Sequence, residues 1–305
     1  MVGHASAVVL EAASVAHSLR RSGMRRGPRI AMPATLHFRS YCSNSAGNCL
    51  ALWTGQTCVL FDCGIGTLRD CRDLLRRQHG LFDPVAALVV SHAHRDHLSR
   101  QALRVMGEQA IPVHCHRKVL PQLRERDGIE GRGSSTSPFR PFGDDGMTVG
   151  EFHITPVALS HAPGTPCFGF VVRASVGGRR RRVVIATDFR DPSTLLPHLR
   201  GADFVFLEAN HDVELLRKRF NYASQWHLNN GQTANLLVRA FGPTDEAPGS
   251  AAPGNVVLGH LSEDRNDDAL AVREVRRAFA RDGVKPRFEL ETAPKYQPSR
   301  VIQIA

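Results

Sequence analysis

Residues 89–100 read VVSHAHRDHLSR, which places three histidines and an aspartate within six positions directly after an apolar run. No other stretch restricts the fold as strongly. The preceding PVAALVV reads as a buried strand by length and composition. A chain that ends such a strand in His92, His94, Asp96 and His97 must either expose these groups or give them a shared partner. In an extended segment His92 and His94 project to the same side and can grip one metal ion. Asp96 and His97 fall where the strand gives way to the helical pattern LSRQAL, so this pair can face a second ion beside the first. Imidazole with carboxylate suits Zn²⁺, and also Mn²⁺ or Fe²⁺. The plain alternative is a surface loop that happens to contain histidines, and the density and position of the cluster count against it.

Two ions need more ligands than one motif supplies. His161 closes ITPVALSH, Asp188 closes VVIATD and His260 closes VVLGH. Each alone is a polar residue after a strand, which is common in loops. Together they complete a set: His92, His94 and His161 on one ion, Asp96, His97 and His260 on the other, with Asp188 bridging. Asp62 ends TCVLFD before a glycine turn. It reads either as an acceptor for the spare N–H of a ligand histidine or as a plain helix N-cap.

The rest of the chain frames this cluster. LHFRSYC, CLALWT, TCVLFDC, GEFHITPVALSH, CFGFVVRASV, RRVVIATDF, ADFVFLEA, VVLGH, RFELETA and RVIQI have strand character, and SNSAGN reads as a turn-rich loop. Helical spacing marks GIGTLRDCRDLLRRQHG, SRQALRVMGE, KVLPQLRERDG, PSTLLPHLRG, VELLRKRF, GQTANLLVRAF and NDDALAVREVRRAFARDG. GPTDEAPGSAAPGN is a Pro/Gly-rich loop. Runs of strands, then helices, then strands argue for two sheets sandwiched between helices. Residues 1–31 are basic and poorly periodic, without clean signal-peptide architecture, and are expected to be a poorly ordered N-terminal extension. Residues 32–305 are expected to form a single domain.

Composition narrows the partners. Hydrophobic residues at 42% and charged residues at 22% are ordinary for a soluble globular protein, and no apolar run is long enough to span a bilayer. The formal charge is +10, with six arginines before residue 40 against one acid, Glu11, and four more in a row at Arg179–Arg182. This balance suits a polyanion such as nucleic acid, and suits an Arg-rich solvated surface equally well. The seven cysteines are odd in number and contain no CxxC, so neither a disulfide framework nor a zinc ribbon is expected. Cys49, Cys58 and Cys63 alternate with apolar residues as small core side chains, and a reducing cytoplasm fits.

The pattern FDCG…SHAHRDH…SH…ATD…GH, over residues 35 to 270, resembles the metallo-β-lactamase superfamily of αββα sandwich hydrolases. SNSAGNCL, ATDF, LEANHDVELLR, WHL and GHLSEDRND look like the YycJ/WalJ-type exonucleases or phosphodiesterases within it. These are similar in turn to the tRNA 3′-processing endonucleases. Zinc β-lactamases carry a cysteine where this chain has Asp188, which counts against a lactamase. The resemblance implies two divalent ions, Zn²⁺ with Mn²⁺ as the alternative, about 3.5–4 Å apart and holding a hydroxide between them. It gives Asp96 a second duty on the attacking water. It also puts a Glu and a His between the bridging Asp and the last ligand, which makes Glu208 and His227 candidates. His227 would protonate the departing oxygen and Glu208 would fix its tautomer. His211 is an alternative to His227, and Asn210 and Asp212 would shape the turn beside it. Ser43, Asn44, Ser45 and Gly47 match the family's polar N-terminal loop.

The expected activity is phosphodiester hydrolysis in nucleic acid, with Arg179–Arg182 as candidate phosphate contacts. Hydrolysis of a small phosphodiester, thioester or lactone is the alternative. A non-catalytic nucleic-acid-binding protein is a third reading, against which the full ligand set argues.

Overall fold

The computed structural model describes residues 35–77, 84–128, 139–242 and 252–305. The expected N-terminal extension and most of the Pro/Gly-rich loop lie outside these residues. The described chain forms two seven-stranded sheets. The first runs in the order β14 (Ile302–Ile304), β1 (Leu36–Asn44), β2 (Gly47–Trp53), β3 (Cys58–Cys63), β4 (Val85–Val90), β5 (Val113–His116), β6 (Phe139–Phe142). The second runs β13 (Glu289–Thr292), β12 (Asn255–Gly259), β11 (Phe204–Glu208), β10 (Arg179–Ala186), β9 (Cys167–Val176), β8 (Phe152–Leu159), β7 (Met147–Val149). Each sheet changes from antiparallel to parallel pairing part-way across. The change falls at β3 in the first sheet and at β10 in the second.

The helices are α1 (Leu68–Arg77), α2 (Arg100–Glu108), α3 (Leu120–Asp127), α4 (Leu196–Leu199), α5 (Val213–Lys218), α6 (Asn230–Phe241) and α7 (Asp268–Arg281). The αββα sandwich follows from side-chain alternation along the central strands. In β11, Phe204 and Phe206 face the first sheet, while Val205 and Leu207 pack in the cluster that includes Leu237 of α6 and Val275 of α7. Phe38 of β1 lies 4.5 Å from Phe204 and 5.6 Å from Phe206, centroid to centroid, and Phe61 of β3 lies 5.5 Å from Phe170 of β9. These rings lock the two sheets face to face, and truncating one to alanine would cost about 3–5 kcal/mol.

SNSAGN is rich in turn as expected and closes a tight hairpin, because the Asn44 side chain accepts the N–H groups of Ala46 and Gly47. One helix is shorter than expected. PSTLLPHLRG yields only the four-residue α4, which has Pro197 in its first turn and Gly201 in the left-handed region just beyond it. The short strands β6 and β7 give little periodic signal. β6 contains Pro141, which a sheet tolerates there because β6 is an edge. All seven cysteines are free thiols, and Cys49, Cys58 and Cys63 are buried as expected.

Candidate metal centre

Six strand ends converge on one edge of the sandwich. Asp62 lies at the end of β3 and Glu208 closes β11, while His92, His161, Asp188 and His260 follow β4, β8, β10 and β12. Carboxyl ends of parallel strands are where open α/β sheets bind ligands, because the turns there can diverge. Asp62, Asp188 and His260 hold φ of +56°, +62° and +51°. Ala110 is the one other non-glycine in this region among the described residues. Such backbone costs about 1–3 kcal/mol per residue and persists only where the surroundings enforce it. Here it swings three side chains off their strands toward one point.

The histidine motif itself is a loop rather than the extended segment expected. The His94 carbonyl accepts N–H groups from both His97 and Leu98, which closes a turn. The rings still gather: His92 and His94 centroids lie 4.5 Å apart, and His161 is 5.1 Å from each. The donor atoms of His92, His94 and His161 all fall within 4.8 Å of one another. Those of Asp96, His97, Asp188 and His260 do the same. Asp188 reaches both groups, with Oδ2 at 3.0 Å from His97 Nε2 and Oδ1 at 3.9 Å from His161 Nε2.

Each buried ring has one nitrogen tied back and one turned inward. His97 Nδ1 donates to Asp62 Oδ2 at 2.7 Å. His92 Nδ1 meets the Ser91 hydroxyl at 3.0 Å, and that hydroxyl donates to the same Asp62 oxygen at 2.8 Å. His161 Nδ1 donates to the Trp226 carbonyl, and His260 Nδ1 to Glu208 Oε2. Glu208 is fully buried and fully engaged. Its Oε1 accepts the N–H groups of Phe189 and Leu228, and its Oε2 faces His227 Nδ1 at 3.1 Å as well as His260. His211 does not take that place; its Nδ1 meets Asn210 Oδ1 at 3.4 Å. Asp212 caps α5, and Asn210 donates to the His260 carbonyl.

The electrostatics divide along the same line. Burial holds His92 well below the usual imidazole range, and lowers His94 and His161 too. Burial also opposes charge on His97 and His260, but the surrounding carboxylates win. Asp188, Asp96 and Asp62 push His97 well up, and Asp188, Asp96 and Glu208 push His260 up to about 10. Glu208, despite its burial, is held down at about 2 by His227 and His260.

Several contributors escaped the sequence reading. Ser91 was unremarkable beside the histidines. Ser43, matched above only to the family's polar N-terminal loop, is buried and accepts the His260 N–H at 2.7 Å while donating to Asn48. Ser45 does line the cleft, and Asn44 and Gly47 line a neighbouring cavity. Lys295 donates to the carbonyls of Ser262 and Asn266 and so braces the loop after His260. Arg179–Arg182 begin β10, whereas the site lies beyond its far end at Ala186. At ~3.3 Å per residue the run starts some two dozen ångströms away and does not line the cleft.

Residues 57–245 match the beta-lactamase superfamily domain. The chain belongs to that family. It is 26% identical over 278 residues to exodeoxyribonuclease YycJ of Bacillus anthracis, covering 87% of this chain and 98% of that protein. To exodeoxyribonuclease WalJ of Streptococcus pneumoniae it is 24% identical, over 75% of this chain and 82% of that one. Among solved structures, the metallo-β-lactamase fold protein YhfI from Bacillus subtilis superposes with a TM-score of 0.62 at 17% identity, covering 88% of this chain and 99% of that one. Human tRNase Z, short form, superposes at 0.55 and 16% identity, covering 88% and 99%. At these identities the superpositions speak for the fold alone.

As a member of the beta-lactamase superfamily, the chain is a metal-dependent hydrolase. Its residues fit divalent ions on their own evidence. His92 Nε2 and His260 Nε2 are buried and make no hydrogen bond. Orphaned buried groups of this kind are costly, and a cation among them supplies the missing partner.

Proposed function

We propose that this chain hydrolyses phosphodiester bonds at nucleic-acid ends, using two divalent ions held by seven side chains. The observation that carries the reading is the position of Asp188, whose two carboxylate oxygens face different donor groups. His92, His94 and His161 form an all-imidazole group suited to Zn²⁺. Asp96, His97, Asp188 and His260 are richer in oxygen and admit Mn²⁺ as well. The exodeoxyribonuclease names of the two relatives support nucleic acid as the substrate. Seven free thiols suit a reducing compartment such as the cytoplasm.

Bound metal would supply Lewis acidity and a more acidic water. The chain's own groups do the rest. Asp96, partly open to the cleft, orients the attacking water and takes its proton. Attack on phosphorus breaks the bond to the departing oxygen. His227 lines the cleft and delivers a proton to that oxygen from Nε2, since Nδ1 is committed to Glu208. Asp62 and Glu208 fix ring orientation and tautomer.

The test gives purified protein, loaded with Zn²⁺ or Mn²⁺, 5′-labelled single-stranded and duplex oligonucleotides and, separately, bis(p-nitrophenyl) phosphate. Metal-dependent cleavage of the oligonucleotides, abolished in a folded His94→Ala variant, is the expected result. Turnover of the small ester alone would replace this reading with that of a small-molecule phosphodiesterase. A metal-free protein inert on everything would leave only binding.

A further inference from the structure

The segment Arg217–Tyr222 reads RKRFNY, basic residues followed by two aromatic rings that flank Asn221, and Asn221 lines the metal cleft. Phe220 is 78% exposed and Tyr222 68%. Single exposed apolar residues are ordinary, but this is a cluster. The 3₁₀ turn Tyr222–Trp226 follows at once and is pinned by the Asn221 side chain, which accepts the Ala223 N–H at 2.9 Å. Tyr222 meets the Trp226 ring edge-on at 6.4 Å, and the Arg190 guanidinium lies 5.1 Å over Trp226. Tyr222 is therefore presented on a short, side-chain-capped turn, with Phe220 two residues before it.

Beneath them is a cavity of about 360 Å³, lined by Phe220 and Tyr222 together with Arg190. It adjoins the metal cleft of about 300 Å³, and Asn221, Ser224 and His227 line both. The volume is of the order of a small-ligand site. The wall combines π-faces with the Arg190 guanidinium. Arg217 and Arg219 stand just before the aromatic pair in sequence and carry exposed ion pairs with Glu214 and Asp264.

We infer that this second cavity is a nucleotide subsite, in which Phe220 and Tyr222 stack the unpaired base next to the scissile phosphate and Arg190 takes its backbone phosphate. The inference rests on the nuclease reading above and adds to it the form of the substrate: a strand end whose last bases are unpaired. His227 forms part of the partition, so the base lies on the side of the departing oxygen. Aromatic stacking tolerates any base, because every base has a π-face, so the subsite gives affinity without sequence preference.

The test uses the full-length, metal-loaded protein and single-stranded oligonucleotides that carry either a base or an abasic residue at one of the two nucleotides flanking the cleaved bond. For wild type, losing the base on the leaving side should raise KM about tenfold or more. In Phe220→Ser/Tyr222→Ser that ratio should fall toward one, and Phe220→Trp and Tyr222→Trp should restore it, which separates stacking from a folding defect. An unchanged ratio in the double serine variant, with oligonucleotides still cleaved, overturns the subsite and leaves the nuclease reading intact. Wild-type protein that neither binds nor cleaves any oligonucleotide overturns both.

Discussion

Asp62 accepts the Nδ1 proton of His97 at 2.7 Å, from a backbone held at φ +56°. The same carboxylate oxygen accepts the Ser91 hydroxyl, which in turn meets His92. One buried acid thus fixes a ring in each of the two donor groups. Because both rings are held by Nδ1, both present Nε2 to the centre. The helix N-cap alternative for Asp62 does not apply, since α1 begins six residues later at Leu68.

Asp62→Asn should keep the fold and lose metal affinity by about 10–100-fold, because the carboxylate accepts the Ser91 backbone N–H on one oxygen and His97 and the Ser91 hydroxyl on the other, and an amide must turn its NH2 toward one of these donors. Titration against a chelating indicator reads the change. A variant that holds metal as tightly as wild type would remove Asp62 from the design of the centre.

His227→Ala separates proton delivery from metal binding. If His227 protonates the departing oxygen, oligonucleotide cleavage should slow by about 10²–10⁴-fold. Turnover of bis(p-nitrophenyl) phosphate should suffer far less, because p-nitrophenolate leaves without a proton. Bound metal should be unchanged. Equal losses on both substrates, together with lost metal, would instead make His227 a ligand, an arrangement its distance to Asp188 also permits.

Gly64→Ala tests the backbone seat of the histidine loop. A Cβ at Gly64 would stand 1.8 Å from the Asp96 carbonyl oxygen, which itself accepts the Asn48 N–H at 2.7 Å. Neither chain can yield without moving Asp96. Destabilisation of about 4 kcal/mol or more, or failure to fold, is expected in urea or thermal unfolding. Gly66→Ala meets no atom within 4 Å and should be near neutral. Similar midpoints for the two variants would contradict this seat.

Metal removal should lower thermal stability. With free ion at a thousandfold its dissociation constant, binding contributes about 4 kcal/mol, which for a domain of this size is about 8–16 °C in Tm. Scanning calorimetry with and without chelator reads the shift, and re-addition of Zn²⁺ should restore it. A midpoint indifferent to chelator would mean that the orphaned His92 and His260 nitrogens have no cation to answer them.

The histidine cluster was legible in the sequence because its members are neighbours. His92 to His97 sit on one turn, and any fold that buries the strand VAALVV must deal with them there. His161, Asp188 and His260 were legible as polar residues closing apolar runs, since an edge of a sandwich is where such runs stop. The expected extended geometry of His92 and His94 was not what forms. The turn closed by the His94 carbonyl is a hydrogen-bonding outcome that alternation does not encode. Arg179–Arg182 stood out by composition, yet strand direction carries them away from the site.

By itself the sequence determined where most strands and helices lie and which candidate ligand side chains end each strand, since both depend on local periodicity; it argued for two sheets without fixing how they pair. Only the tertiary structure decided which nitrogen of each ring faces inward, because Ser91, Asp62 and Glu208 make that choice across the fold. It alone set the left-handed turns at Asp62, Asp188 and His260, since Asp and His tolerate that conformation but adopt it at few positions. It also brought Ser43 to the His260 N–H across 217 positions. Contacts of that span follow from strand order and sheet packing, which are properties of the folded whole.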